Sequence, residues 1–108
     1  MKRVLTVAIA CGLAASVPAH AQTYSPDQKD ARCVLALMGL SETVTGDSQS
    51  QLRLGMMYFL GKLMGRHTAE EVRTLMRAME SQMKPAETGG IVQQCGQELI
   101  QVGGVLKQ

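Results

Sequence analysis

Side chains that carry chemistry are few in this chain. Its 108 residues hold three cysteines, two histidines and three aromatic residues. There is no Cys-x-x-Cys pair, no Gly-x-Ser-x-Gly elbow and no phosphate-cradling glycine loop. The usual sequence signs of thiol redox, hydrolytic and nucleotide chemistry are therefore missing. Strand-like alternation, internal repeats and low-complexity tracts are also absent, and no run of like charges is long enough to form a tail. One long, uncharged apolar run occurs, over residues 4–17.

That run reads as part of an export signal. Met1-Lys2-Arg3 is a basic lead, Pro18 breaks the apolar stretch, and Ala19-His20-Ala21 puts small residues at −3 and −1 of a cleavage site. A membrane anchor would need about 20 apolar residues, more than the run supplies. A lipoprotein cut before Cys11 competes poorly, because Ala8-Ile9-Ala10 lacks the usual leucine and apolar sequence continues beyond the cysteine. The expected organisation is a signal at 1–21 and one helical domain at 22–108, released to the periplasm or secreted.

Without Lys2 and Arg3, the 11 basic residues fall to 9, against 9 acidic ones. A balanced surface offers no electrostatic case for nucleic acid or an anionic membrane. Cys33 and Cys95 are then the two remaining cysteines. In an oxidising compartment they allow a single intramolecular bridge, and closing a loop of about 60 residues is worth roughly 4 kcal/mol in the chain-entropy view. Two thiols and the one remaining histidine, His67, are too few for a zinc site.

The chain divides into about four helices. The first opens at Ser25-Pro26-Asp27-Gln28, a capping box with proline at the first position, and runs to about Leu40. Cys33, Ala36, Leu37 and Leu40 line one side, and Val34, Leu35 and Met38 widen it. Residues 41–47 (SETVTGD) read as a loop. A second helix spans 48–65, capped by Ser48 and closed by Gly65. Thr68-Ala69-Glu70-Glu71 caps a third, whose stripe is Val72, Leu75, Met76, Met79 and Met83 and which ends at Lys84-Pro85. Residues 85–90 form the second loop. The last helix, from about Ile91 to Leu106, carries Ile91, Cys95, Leu99, Val102 and Leu106 on one side, and Gly103-Gly104 is expected to fray its end. The fold expected is all-α, a small bundle stapled by one disulfide.

Helix 48–65 is the expected hub. Projected at 100° per residue, Leu52, Met56, Phe59, Leu60 and Leu63 share one arc. Nearly opposite lie Leu54, Met57, Tyr58, Gly61 and Gly65, with Arg53 and Lys62 in the seams. Gly61-x-x-x-Gly65 permits close backbone approach. Either the first helix covers this second face, or it forms a homodimer or partner groove.

Other groups read more simply. His67 is expected as an exposed loop residue, and Glu70-Glu71 as carboxylates that favour a helix N-terminus. No catalytic residue or cofactor is expected. Met76, Met79 and Met83 share a face and form the alternative reading, a soft Cu(I) site in an exported protein. The competing reading makes them the core stripe of an amphipathic helix.

Residues 57–66, Met-Tyr-Phe-Leu-Gly-Lys-Leu-Met-Gly-Arg, lie between Cys33 and Cys95 and resemble small, uncharacterised exported proteins of alphaproteobacteria, a resemblance that spans most of the expected mature chain at 22–108. More loosely, size, export and cysteine count resemble HdeA-type periplasmic acid-stress chaperones. That resemblance implies a dimer which releases apolar surface to hold unfolding clients. The function expected is thus non-enzymatic protein–protein contact, chaperone-like or inhibitor-like.

Overall fold

The computed structural model describes residues 23–106, with side chains through residue 104. The signal expected at 1–21 lies outside the described residues. Among those described there are four α-helices and no strand. They are α1 (Pro26–Ser41), α2 (Gly46–Met64), α3 (Ala69–Gln82) and α4 (Thr88–Leu106), with a 3-10 turn at Pro85–Glu87 before α4. The all-α, disulfide-stapled bundle expected from the pattern is the fold observed.

Two helix starts form as their local chemistry dictates. The Gln28 amide donates to Ser25 Oγ (3.1 Å) and the Ser25 amide to Gln28 Oε1 (2.9 Å). The same reciprocal pair joins Thr68 and Glu71, at 3.1 and 2.9 Å. Each box satisfies two amides that the first turn would otherwise leave bare.

The two loops are shorter than expected. Ser48 does not cap α2, which begins two residues earlier, after an extended Thr45 whose side chain makes no capping bond. Gly46 turns the chain there with φ 71°, a left-handed conformation that suits glycine. Gln49 Nε2 then donates to the Ser41 carbonyl (2.9 Å), so α2 caps the end of α1. The loop expected at 85–90 is mostly helical. The Lys84 amide donates to Glu87 Oε1 (3.0 Å), which folds the Pro85 turn directly into α4. Gly103 and Gly104 remain helical.

The centre of the bundle is α1, and this corrects the hub expected at 48–65. α1 packs most extensively on α2 and also meets α3 and α4. Five consecutive residues, Asp30 through Val34, are buried, as are Ala36, Leu37 and Ser41. Consecutive burial means that no side of this segment faces water. Small side chains at Ala31, Cys33 and Ala36 allow three neighbours to approach.

The remaining helices bury one side each. Phe59 and Leu63 of α2 are fully enclosed, and burial of such side chains is worth roughly 1.5–3 kcal/mol apiece. Leu52, Met56 and Leu60 pack against the same core, as the projection predicts. α3 contributes Val72 and Met79, and α4 contributes Ile91 and Cys95. The Cys33–Cys95 bridge joins α1 to α4 across 62 positions, with Cα atoms 5.8 Å apart.

Candidate functional site

Two surfaces stand out, and both involve α2. The first is its outer side. Leu54 is 70% exposed, Met57 58% and Met64 48%. Together with exposed Gly61 they recur at i, i+3, i+7 and i+10, one stripe along the helix. α1 lies on the opposite side, against Phe59 and Leu63. The intramolecular cover considered for this face is therefore not found.

The stripe differs from the expected set in three ways. Met64 belongs to it, in addition to the expected residues. Tyr58 does not lie flat on it; this half-buried ring packs against the core and its hydroxyl donates to Glu98 Oε2 (2.9 Å). Gly65 is an exposed right-handed C-cap with φ −76°, so no left-handed turn demands glycine there. A Cβ at Gly61 would meet nothing within 4 Å. Close approach is instead made at Gly55, where a Cβ would lie 2.8 Å from Leu99 Cδ1 of α4.

The second surface is a charged seam that no sequence motif announced. Asp30 of α1 is buried, and both its oxygens are engaged: Arg66 Nη2 lies 2.8 Å from Oδ2 and Lys62 Nζ 3.1 Å from Oδ1. Arg66 also grips Asp27 Oδ1 through Nη2 (2.6 Å) and Nε (3.0 Å). Lys62 reaches across to Glu98 Oε2 of α4 at 2.7 Å. The seam thus ties the end of α2 to both α1 and α4.

These contacts set the charges. The Arg66 hydrogen bonds, with a second from His67, hold the Asp27 carboxyl below its usual range. Burial works against a charged Glu98, but the bonds from Lys62 and Tyr58 outweigh it and hold that carboxyl low. Lys62 is the mirror case. Burial pulls it down, while Glu98 and Asp30 together keep it above its ordinary value. Burial, aided by Glu98, raises the Tyr58 hydroxyl.

His67 belongs to this seam, which corrects its expected placement as an exposed loop residue. It is partly buried, with Nε2 2.6 Å from Asp27 Oδ2 and Nδ1 3.6 Å from Glu71 Oε1. Asp27 draws it in from a helix more than 30 positions away. Glu71 is the capping carboxylate, held low first by the Thr68 amide. Glu70 pairs with Arg73 one turn on.

The methionines of the copper alternative lie in the core stripe. Met79 is 1% exposed, and Met76 and Met83 are partly buried against the core. Among the described residues, no three His, Cys, Asp or Glu side chains are placed to share a metal ion. No helix there is long and apolar enough to cross a membrane.

One signal for the seam was readable. Asp30, Val34, Leu37 and Ser41 lie at i, i+4, i+7 and i+11, so a carboxylate stands on the buried stripe of α1. A charge in that position requires a partner. Family models, curated proteins and solved structures yield no match for this chain.

Proposed function

We propose that this is an exported, non-enzymatic protein that acts by protein–protein contact through the outer face of α2, pairing with a second copy of itself. The observation that carries this reading is the exposed stripe of Leu54, Met57, Gly61 and Met64. Three large apolar side chains in line on one helix, with a glycine between them, form a shallow self-complementary ridge. A two-fold axis through such a ridge lets each glycine receive the partner's methionine or leucine. The Cys33–Cys95 bridge supports an oxidising compartment.

The test is light scattering across a wide concentration range, on wild type and on Gly61→Leu. Gly61 has open space around it, so leucine leaves the monomer intact and fills the ridge. Wild type is expected to dimerise and Gly61→Leu to be monomeric with unchanged helicity. A wild type that stays monomeric at high concentration ends the proposal of self-pairing. A pull-down from the envelope at neutral and acid pH then reports whether the same face takes a different protein.

A further inference from the structure

Arg32 is the one long cationic side chain placed within the buried segment of α1, and it is 9% exposed. Its Nη1 is buried with no hydrogen-bond partner. Its guanidinium lies over the Tyr24 ring, with Cζ 4.0 Å from the centroid. The ring covers a face of the cation and supplies no acceptor to its edge. A buried guanidinium with a bare edge is costly to keep, and folded proteins seldom keep one without a use.

Arg32 also lines a pocket of about 650 Å³ between the first half of α1 and α4, a volume typical of small-molecule sites. Lys29, one turn before Arg32, lines it too. Glu98 is the carboxylate on its wall, but Lys62 and Tyr58 already bind that group. Gln94 adds an amide, while Ile91 and the Cys33–Cys95 bridge form an apolar wall. The charge balance favours an anion, and the flat fork of Arg32 suits two oxygens in one plane. The apolar wall favours a ligand with a hydrocarbon body.

We propose that this pocket binds a small organic carboxylate, with Arg32 gripping the carboxylate, Lys29 adding charge at the mouth, and Ile91 and the disulfide packing the apolar part. The site is separate from the outer face of α2, and its failure would leave the pairing proposal untouched.

The test is an NMR titration of the purified, oxidised protein with three probes: benzoate, its neutral isostere benzamide, and inorganic phosphate. Benzoate is expected to give saturable shifts at Tyr24, Arg32 and Gln94. Benzamide should fail to saturate, and phosphate should bind more weakly than benzoate. Arg32→Gln is expected to weaken benzoate about tenfold or more, the loss of a charge-assisted bond, and to melt no lower than wild type, because it removes an unpaired buried charge. Should Arg32→Gln not fold, Arg32→Lys keeps the charge, loses the fork, and must still weaken benzoate. Lys29→Gln should weaken it by a smaller factor. The proposal is overturned if benzoate does not saturate, if it binds Arg32→Gln or Arg32→Lys as well as wild type, or if phosphate binds more tightly than benzoate.

Discussion

Gly46 and Gly61 stand at opposite extremes within one helix. Gly46 turns at φ 71°, where an L side chain crowds its own backbone. Gly61 has helical backbone and open space around a Cβ. Gly46→Ala is therefore expected to destabilise the monomer by about 1–2 kcal/mol. Gly61→Ala should stabilise it by up to about 1 kcal/mol, since alanine restricts the unfolded chain and favours helix. Urea denaturation at low protein concentration measures both; equal effects would contradict the backbone difference. Gly55 is the informative comparison, because an alanine there must displace Leu99 Cδ1 from 2.8 Å. The sequence sets Gly46 in a turn-like stretch and Gly61 in a small-residue motif, yet the tight position is Gly55, which no motif marks. Each one's role depends on what lies beside it.

Between elements, Asp27, Tyr58, Lys62 and Glu98 of the seam couple stability to pH. The folded-state values of Asp27 and Glu98 lie below their ordinary 3.8 and 4.5. Their charged forms therefore stabilise the fold above those values, and the contribution disappears as pH falls through the folded-state ones. Lys62 and Tyr58 are raised above their ordinary 10.5 and 10.0, so their contribution is present below about pH 10 and lost as pH rises further. The melting temperature should form a plateau from about pH 5 to 9, with a fall on each side. Glu98→Gln should flatten part of the acid limb. A melting temperature constant down to about pH 2.5 would show that the seam contributes nothing.

For the whole molecule, the bridge between α1 and α4 closes a loop spanning 62 positions. Reduction should lower unfolding stability by roughly 4 kcal/mol, a large fraction of what a domain of this size has. Equilibrium denaturation with and without reductant measures this, and an unchanged midpoint would contradict it. Self-pairing through α2 would add a dependence on protein concentration to the same curves. A melting temperature that rises with concentration in wild type, and not in Gly61→Leu, is the expected outcome.

The sequence alone determined whatever depends on neighbours a few positions apart. The capping boxes at Ser25 and Thr68, the buried arc of α2 and the stripe of α3 follow from local hydrogen bonding and helical periodicity. The pairing of Cys33 with Cys95 follows from the sequence only with Cys11 assigned to the expected export signal. Tertiary structure decided which helix the others surround. Residues 48–65 look more hydrophobic, but hydrophobicity does not reveal that small side chains let α1 be enclosed on every side. It also decided that Lys62 and Arg66 meet Asp30 from 32 and 36 positions away, that His67 turns inward to Asp27, and that Arg32 Nη1 is buried without a hydrogen-bond partner. Those pairings follow from how whole helices pack, a long-range outcome that short-range periodicity does not encode.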